Sequence, residues 1–290
     1  MIKKEYEQFC ENLLNQLELV LGKDYILYRD FALGYNSTYK DVLLIRKQEE
    51  TSSPRFCLME YYEAYQRGES LEDLIQRIQK VVLGKFGPSK EQIDTLLTKE
   101  KAKENIIVRL INRKKNEELL KETPYLPFLD LAITFHLLLS GGEEGVKSIR
   151  LTKKLWDEVI DAPLMEMYQI ALQNTEKMFP ARLEALEALF GWSEEECTSS
   201  LFVLTNQYGV HGASAFLYEG IAQKIEQTLG GDYYIIPSSV HELLFIAKQK
   251  IKEVDFLKDT ILEVNRTQVG KEEVLSDLLY QYQNHQLDFA

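Results

Sequence analysis

Apolar side chains in the first part of the chain recur first at helical and then at strand-like spacing. Over residues 5–21 they fall three and four apart and a glycine follows, which predicts an amphipathic helix with a glycine stop. Two β-prone runs, 25–33 and 42–45, flank a turn rich in Gly, Asn and Ser and predict a hairpin. Helical spacing returns over 56–65 and after Ser70, whose side chain suits a helix cap.

In the middle of the chain, segments with helical spacing of apolar residues alternate with segments typical of strands. Residues 106–111 are typical of a buried strand, whereas the apolar run 128–139 fits a buried helix and a buried strand equally well. A strand is predicted over 146–151. Apolar positions at helical spacing then predict helical structure over 155–178, with a break at Pro163, and a helix over 181–190.

Short elements of both kinds alternate in the last part. Glycine pairs and runs of β-branched or aromatic residues separate them. The predicted elements are a strand over 201–205, a helix over 212–229, strands over 233–237 and 242–247, and helices over 254–265 and 271–282.

These elements together predict an α+β fold in three parts. The first is an N-terminal α+β unit over 1–87, in the order helix, hairpin, helix, helix. The second, over 88–197, is a mainly helical middle with one or two strands. The third, over 198–290, is a C-terminal α+β unit with a strand-helix-hairpin core and two terminal helices.

The composition is that of a globular protein, and its charge narrows the function classes. Apolar types make up 45% and charged types 28%, which excludes a disordered or fibrous chain. A net charge of -12 disfavours direct binding to nucleic acid or to an anionic membrane. The three cysteines are widely separated and fit neither a disulfide framework nor a zinc site. We therefore expect a cytoplasmic protein without a metal or cofactor.

Two segments depart from the average charge. Residues 101–125 hold seven basic residues, Arg109 among them, against four acidic ones; a solvated face is favoured over an anion site. From Cys197 to His241 only four of 45 residues are charged, whereas the average gives about thirteen. Neutral polar groups among apolar ones are typical of a ligand pocket or partner surface, and also of a junction that satisfies its own backbone. Both interpretations stay open.

Histidine and serine residues in and beside the charge-poor segment suggest chemistry that can be tested against spacing. His241 and Glu242 resemble the start of a helical zinc-protease motif, but Phe245 stands where its second histidine belongs. Ser238 and Ser239 are candidate nucleophiles, although neighbours on one strand point to alternate faces. His211 and His241 flank neighbouring strand ends and could approach each other, but a metal site there lacks a third ligand.

Several C-terminal segments carry a family resemblance: 204–206, 212–214, Tyr218, 234–242, 263–269 and 272–277. On these segments the chain resembles an uncharacterised bacterial family of unknown function that occurs mainly in anaerobic Gram-positive bacteria. The resemblance covers nearly the whole chain but departs from the family pattern in the hairpin turn at 34–38. It implies kinship of fold without implying a reaction.

These signature positions coincide with the charge-poor segment and with a polar run near 265. One interpretation brings ten polar residues to a common site. They are Asn206, His211, Ser214, Tyr218, Ser238, Ser239, His241, Glu242, Asn265 and Gln268. The alternative is that Asn265 and Gln268 only cap helices and tie down a loop.

Three function hypotheses follow. The preferred one is a non-catalytic interaction module that binds a protein or peptide partner, because no catalytic constellation is recognisable. The second is a hydrolase with His211 or His241 as base and Ser214, Ser238 or Ser239 as nucleophile. The third, motivated only by the net charge, is an acidic inhibitor that mimics nucleic acid. Whether the chain is an enzyme stays open.

Overall fold

The computed structural model describes residues 2–48, 54–84, 90–142, 145–187 and 201–290. The protein is a mixed helix and sheet structure, so the predicted α+β class is confirmed. No helix within these ranges combines the length and the apolar character that a bilayer crossing requires. The predicted boundaries after residues 87 and 197 fall outside these ranges, and the three-part division stays a prediction.

The chain forms two compact units. The N-terminal unit consists of Met1–Gly34 and Thr38–Ile93. The main unit consists of Tyr35–Ser37 and Asp94–Ala290, so the tip of the N-terminal hairpin belongs to it.

In the described residues of the N-terminal unit, helices pack on one three-stranded antiparallel sheet. The predicted first helix and hairpin are confirmed, and a third strand that was not predicted extends the sheet. Its core includes Leu13, Leu17, Leu43 and Leu74, which are fully buried. The elements are α1 (Ile2–Leu21), β1 (Tyr25–Leu33), β2 (Tyr39–Lys47), β3 (Arg55–Cys57), α2 (Leu58–Gln66) and α3 (Leu71–Val82).

Within the described ranges the main unit contains a four-stranded and a six-stranded sheet. In the four-stranded sheet, β6 pairs with β4, β5 and β7. The order of the six-stranded sheet is β13-β12-β10-β11-β9-β8. The strands are β4 (Ile106–Asn112), β5 (Tyr125–Phe128), β6 (Leu131–Gly142), β7 (Gly145–Arg150), β8 (Ala181–Ala185), β9 (Leu201–Asn206), β10 (Tyr233–Ser239), β11 (Glu242–Ala247), β12 (Tyr280–Gln283) and β13 (Gln286–Phe289).

Helices of the main unit cover its sheets and share one apolar core with them. Phe135 of β6 packs edge-on against Trp156 with ring centroids 5.0 Å apart. The helices are α4 (Lys90–Leu96), of which only 94–96 belong to this unit, α5 (Lys99–Asn105), α6 (Glu117–Lys121), α7 (Lys153–Leu155), α8 (Leu164–Met178), α9 (Ile221–Leu229) and α10 (Val254–Thr267).

Two predictions about the middle and the charge-poor segment need correction. The described part of the middle holds strands β4 to β8 rather than the expected one or two strands. The run 128–139, which the sequence left open, belongs largely to strand β6. The predicted helix over 212–229 is a 3₁₀ helix, Gly212–Leu217, followed by α9. Gly220, with φ 73°, separates the two because this left-handed backbone interrupts a helix.

The predicted helix over 181–190 is wrong where the chain is described. Residues 181–185 form edge strand β8, paired with β9. Ala, Leu and Glu favour a helix locally, but the run also alternates, with Arg182 and Glu184 joined across 2.9 Å on one side. Pairing with β9 therefore overrides the local propensity.

The predicted helix over 271–282 is also wrong, so only one of the two expected terminal helices forms. Side-chain amides of three asparagines take up three consecutive backbone carbonyls, which a helix would need for itself. Asn36 donates to the carbonyl of Val274 at 2.8 Å, Asn112 to Leu275 at 2.9 Å and Asn265 to Ser276 at 2.8 Å. Strand β12 follows.

Candidate functional site

The loop after β9 and the turn between β10 and β11 lie against each other. Thr205 donates its hydroxyl to the carbonyl of His241 at 2.8 Å, and the N–H of Ala213 donates to Val240. Gly212 makes this approach possible. A Cβ there would lie 2.5 Å from the carbonyl oxygen of His241 and 2.7 Å from the nitrogen of Asn206, closer than side chains tolerate.

Two histidines meet at this junction, as the sequence suggested they could. Their ring centroids are 5.5 Å apart, and the N–H of His211 donates to Nδ1 of His241 at 3.2 Å. Nε2 of His241 lies 3.5 Å from a Glu273 carboxylate oxygen. An accepting Nδ1 carries no proton, so His241 has its proton on Nε2 and donates toward Glu273.

The ring of His211 is held neutral. Burial, together with the nearby positive charge of Arg109, lowers the pKa of His211 to about 3. Its Nδ1 is buried and has no hydrogen-bond partner. The backbone of His211 is left-handed, with φ 54°, a conformation that turns the chain from the loop into the 3₁₀ helix.

Asn206 shapes the loop that carries His211. Its Nδ2 donates to the carbonyl of Val210 at 2.8 Å, and its Oδ1 accepts from the N–H of Tyr208 at 3.0 Å. Asn206 is buried, and both ends of its amide are in use. It therefore orders the loop rather than offering a free polar group.

The predicted serine and tyrosine members of the site satisfy neighbouring backbone or side-chain groups. Ser214 accepts from the N–H of Leu110 at 3.0 Å and closes the free edge of β4. Ser239 accepts from the N–H of His241 at 3.0 Å, and Ser238 donates to Glu242 at 3.2 Å. Tyr218 donates to the carbonyl of Phe179 at 2.9 Å.

Asn265 and Gln268 do not join this cluster. Asn265 donates to the carbonyl of Ser276 and, at 2.9 Å, to Asp277. Gln268 is exposed at the end of α10, where its side-chain amide reaches Thr267. Of the ten predicted residues, Asn206, His211 and His241 converge on one place, with Ser214, Ser238, Ser239 and Glu242 around it.

A residue that the site prediction omitted, Arg109, faces the same cavity as His211. The cavity has a volume of about 10 Å³, and its lining also includes Asn206 and Thr175. Arg109 is 7% exposed and is hydrogen-bonded to Tyr35, and burial lowers the pKa of its guanidinium. Its Nη2 atom is buried without a hydrogen-bond partner.

Arg109 belongs to a polar row on one face of the four-stranded sheet. It lies directly opposite Thr134, and along the same face Ile107 lies opposite His136, which in turn faces Arg150. Thr134 and His136 are almost fully buried. Burial, then the positive charges of Arg109 and Arg150, lowers the pKa of His136. The sequence signal was a charged residue in the middle of the apolar run 106–111.

A second concave feature, the C-terminal cleft, lies between α10 and the C-terminal hairpin. It has a volume of about 360 Å³. Leu262, Leu278 and Phe289 line it and are 51%, 46% and 41% exposed. Lys258 stands at its rim and forms no ion pair with any described residue. The sequence prediction did not find this cleft because it treated 271–282 as a helix.

Asp277, which also lines the C-terminal cleft, has its charge balanced. Lys115 Nζ lies 2.8 Å from its carboxylate, and Asn265 donates to it. Burial alone raises the pKa of Asp277, but the hydrogen bonds from Lys115 and Asn265 outweigh burial and lower it. Lys258 is therefore the unbalanced charge of this cleft.

The described part of the chain holds no group of three His, Cys, Asp or Glu side chains placed to bind a metal ion. His241 uses Nδ1 to accept from the backbone of His211, so this nitrogen is not available to a metal ion. Cys197, where the charge-poor segment begins, lies outside the described residues.

The sequence model of a family of unknown function, DUF5688, matches residues 6–284. The chain belongs to this family. The predicted resemblance to an uncharacterised family is thereby confirmed, and DUF5688 spans both structural units and every predicted site residue. No curated protein and no solved structure matches the chain.

Proposed function

We propose that this DUF5688 chain is a non-catalytic binding module that docks an extended segment of a protein partner at the C-terminal cleft. An apolar side chain of the partner enters the cleft, and an acidic side chain contacts Lys258. The observation that carries this proposal is the exposure of Leu262, Leu278 and Phe289 around one concavity. Clustered exposed apolar groups mark interaction surfaces far more often than isolated ones do.

The distribution of apolar exposure supports this surface. In the described part of the main unit, Met165 is the single large, exposed apolar side chain that neither belongs to α10 nor lines the C-terminal cleft. The cleft volume of about 360 Å³ is within the range of small ligand sites, roughly 300–1,000 Å³, and exceeds the volume of one side chain.

The charge at the cleft favours an acidic partner segment. The Asp277 charge is balanced by Lys115, whereas Lys258 has no carboxylate partner among the described residues. Asp288, the neighbour of Phe289 on β13, points to the other face of the sheet because side chains alternate along a strand. An acidic side chain beside Lys258 therefore meets a favourable charge.

An open strand edge supports an extended conformation for the partner. β13 ends the six-stranded order, and its one neighbour in the described structure is β12. Extended peptides add to such edges through backbone hydrogen bonds and gain specificity by placing alternate side chains in pockets. Because Phe289 belongs to β13 and lines the cleft, a strand added there passes beside the cleft.

The two other hypotheses gain no support from the geometry. The hydroxyls of Ser214, Ser238 and Ser239 contact backbone or carboxylate groups rather than an imidazole in the described structure. For the inhibitor, carboxylates must form one ordered face. Several of them are instead paired locally with bases, as in Glu118 with Lys121 and Glu263 with Arg266.

The proposal is tested with a displayed library of random 12-residue peptides selected on the full chain. Selected peptides carry a fluorophore, and their affinity is measured by anisotropy. Leu278→Asp places an unpaired charge in the cleft, and we expect it to weaken binding at least tenfold, about 1.4 kcal/mol. Leu262→Asp should act in the same direction.

Met165→Asp is the matched control, since Met165 is 57% exposed on α8, away from the cleft. It should leave the affinity unchanged. Equal binding to the wild type and to Leu278→Asp, an equal loss in Met165→Asp, or a library that yields no saturable binder would each contradict the proposal.

A further inference from the structure

The small cavity beside His211 has polar walls whose hydrogen bonds can be counted. Four lining residues carry polar side chains: Arg109, Thr175, Asn206 and His211. Thr175 accepts from the N–H of Val108 at 2.9 Å and donates to the carbonyl of Ala171 at 2.5 Å. Asn206 uses both ends of its amide on its own loop.

Two atoms remain without a partner, Nη2 of Arg109 and Nδ1 of His211. Both are buried, and both residues line this cavity. Buried polar atoms in folded proteins are almost always hydrogen-bonded, to protein, water or a ligand. Because both unpartnered atoms belong to residues that line one cavity, they point to a single bound species that serves both.

The charge around the cavity identifies the class of that occupant. Arginine keeps its positive charge in proteins, and Arg109 is 93% buried with a neutral tyrosine, Tyr35, as its hydrogen-bond partner. No described carboxylate pairs with it. His136 and Arg150 lie on the same face, so the surroundings add neutral or positive groups. A buried charge without a counter-charge is strongly unfavourable.

Size limits the occupant further. A volume of about 10 Å³ suits a single water-sized species. Phosphate, sulfate and organic acids need much more room. Water would satisfy hydrogen bonds but would leave the guanidinium charge uncompensated.

We propose that this cavity binds one small monatomic anion of the halide class, held between Nη2 of Arg109 and the ring of His211. The neutral imidazole donates from Nδ1, so the site needs no protonated histidine. The anion supplies the counter-charge that Arg109 lacks and stabilises the main unit. The site is separate from the C-terminal cleft, and its failure leaves the proposed partner binding untouched.

Bromide is the direct probe. Crystals of the full chain grown or soaked in sodium bromide should show one anomalous peak beside Nη2 of Arg109. In solution, the melting temperature is compared in sodium chloride and sodium gluconate at equal ionic strength. Chloride at about tenfold excess over its Kd should raise the melting temperature by about 3–6 °C.

Arg109→Met removes the charge while keeping an apolar stem, and it should abolish the chloride effect. In gluconate this variant should be at least as stable as the wild type, because an unpaired buried charge has been removed. Arg113→Met, at an exposed position next to β4, should keep the full chloride effect. No bromide peak at Arg109, or a chloride effect that survives Arg109→Met, overturns the proposal. The wild-type bromide crystal decides it even if Arg109→Met does not fold.

Discussion

The backbone N–H of His211 donates a hydrogen bond to Nδ1 of His241 across 3.2 Å. This contact joins the loop after β9 to the turn between β10 and β11. It also fixes the imidazole proton of His241 on Nε2, toward Glu273. The contact between the two histidines therefore holds the loop and the turn together. It does not form a catalytic pair with any serine that the structure describes, and the proposed partner binds at another surface, the C-terminal cleft.

The His211 to His241 contact predicts a difference between two substitutions. His241→Ala leaves the N–H of His211 without its acceptor and should lower the free energy of unfolding by about 1–2 kcal/mol. In His241→Asn the side-chain oxygen can take the place of Nδ1, so at least half of that loss should be recovered. Urea unfolding measures both. Equal losses in the two variants would mean that the hydrogen bond does not contribute.

Gly212 should not tolerate a methyl group. In Gly212→Ala the new Cβ would overlap the Thr205 hydroxyl and lie 2.5 Å from the His241 carbonyl oxygen, so the loop must move. We expect a loss of about 2–4 kcal/mol in the free energy of unfolding. Gly141→Ala is the control, since its Cβ would meet the Phe179 ring at 3.4 Å, an ordinary contact. Similar losses in both variants would refute the close-approach argument.

Some elements could be predicted from the sequence because local and tertiary preferences agree. The helix α1 and the hairpin of β1 and β2 carry a clear period and a clear turn. Strands β8 and β12 were missed because their residues also fit a helical pattern, and pairing with β9 and β10 decides the outcome. Such pairing joins residues distant in sequence, which no local window contains.

Part of the candidate site could also be predicted from the sequence. His211 follows β9 and His241 precedes β11, and the two strands are paired, so the two residues lie close together. The sequence predicted both strands and allowed their ends to be neighbours. Arg109 was counted with a solvated basic run, although its position inside the apolar run 106–111 already indicated burial. Asn265 was grouped with the histidines because it shares their polarity. Its partners instead belong to a loop that the sequence pattern presented as a helix.

The depressed pKa of His211 predicts acid sensitivity. Below pH about 6.5 the unfolded chain takes up a proton at this residue, whereas the folded chain refuses it until pH about 3. The free energy of unfolding is therefore highest above pH about 6.5 and falls as the pH drops from about 6.5 to about 3. His211 lowers it by at most about 1.4 kcal/mol per pH unit in this range. Burial depresses the pKa of His136 as well and acts in the same direction.

The acid effect is measured by urea unfolding between pH 7.5 and 4.5 in gluconate, since an anion beside His211 would raise its pKa. His211→Asn should lose less stability than the wild type over this range. His285→Asn, in the exposed β12–β13 turn, should follow the wild type. Identical slopes in His211→Asn and the wild type would contradict the prediction.

In the N-terminal unit, Asp41 is the centre of a buried network. Tyr6 donates to it at 2.8 Å, and Arg29 binds it through Nε at 2.8 Å while also reaching Glu7. Asp41→Asn should cost about 1.5–3 kcal/mol, because it removes the charged acceptor of Tyr6 and Arg29 at a buried position while Arg29 keeps Glu7. Glu7→Gln, with 45% of its side chain exposed, should cost less than about 1 kcal/mol. Calorimetry of both variants checks the order, and a larger loss for Glu7→Gln would reverse it.

The most direct test of the binding proposal reverses the charge of Lys258. Two peptides are compared: a selected peptide and its counterpart in which Asp or Glu is changed to Lys. Each is titrated against the wild type and against Lys258→Glu. Lys252→Glu, at an exposed position before α10, is the control. We expect the wild type and the control to prefer the acidic peptide by about tenfold, and Lys258→Glu to prefer the basic one. An unchanged preference in Lys258→Glu would contradict recognition of an acidic partner at the C-terminal cleft.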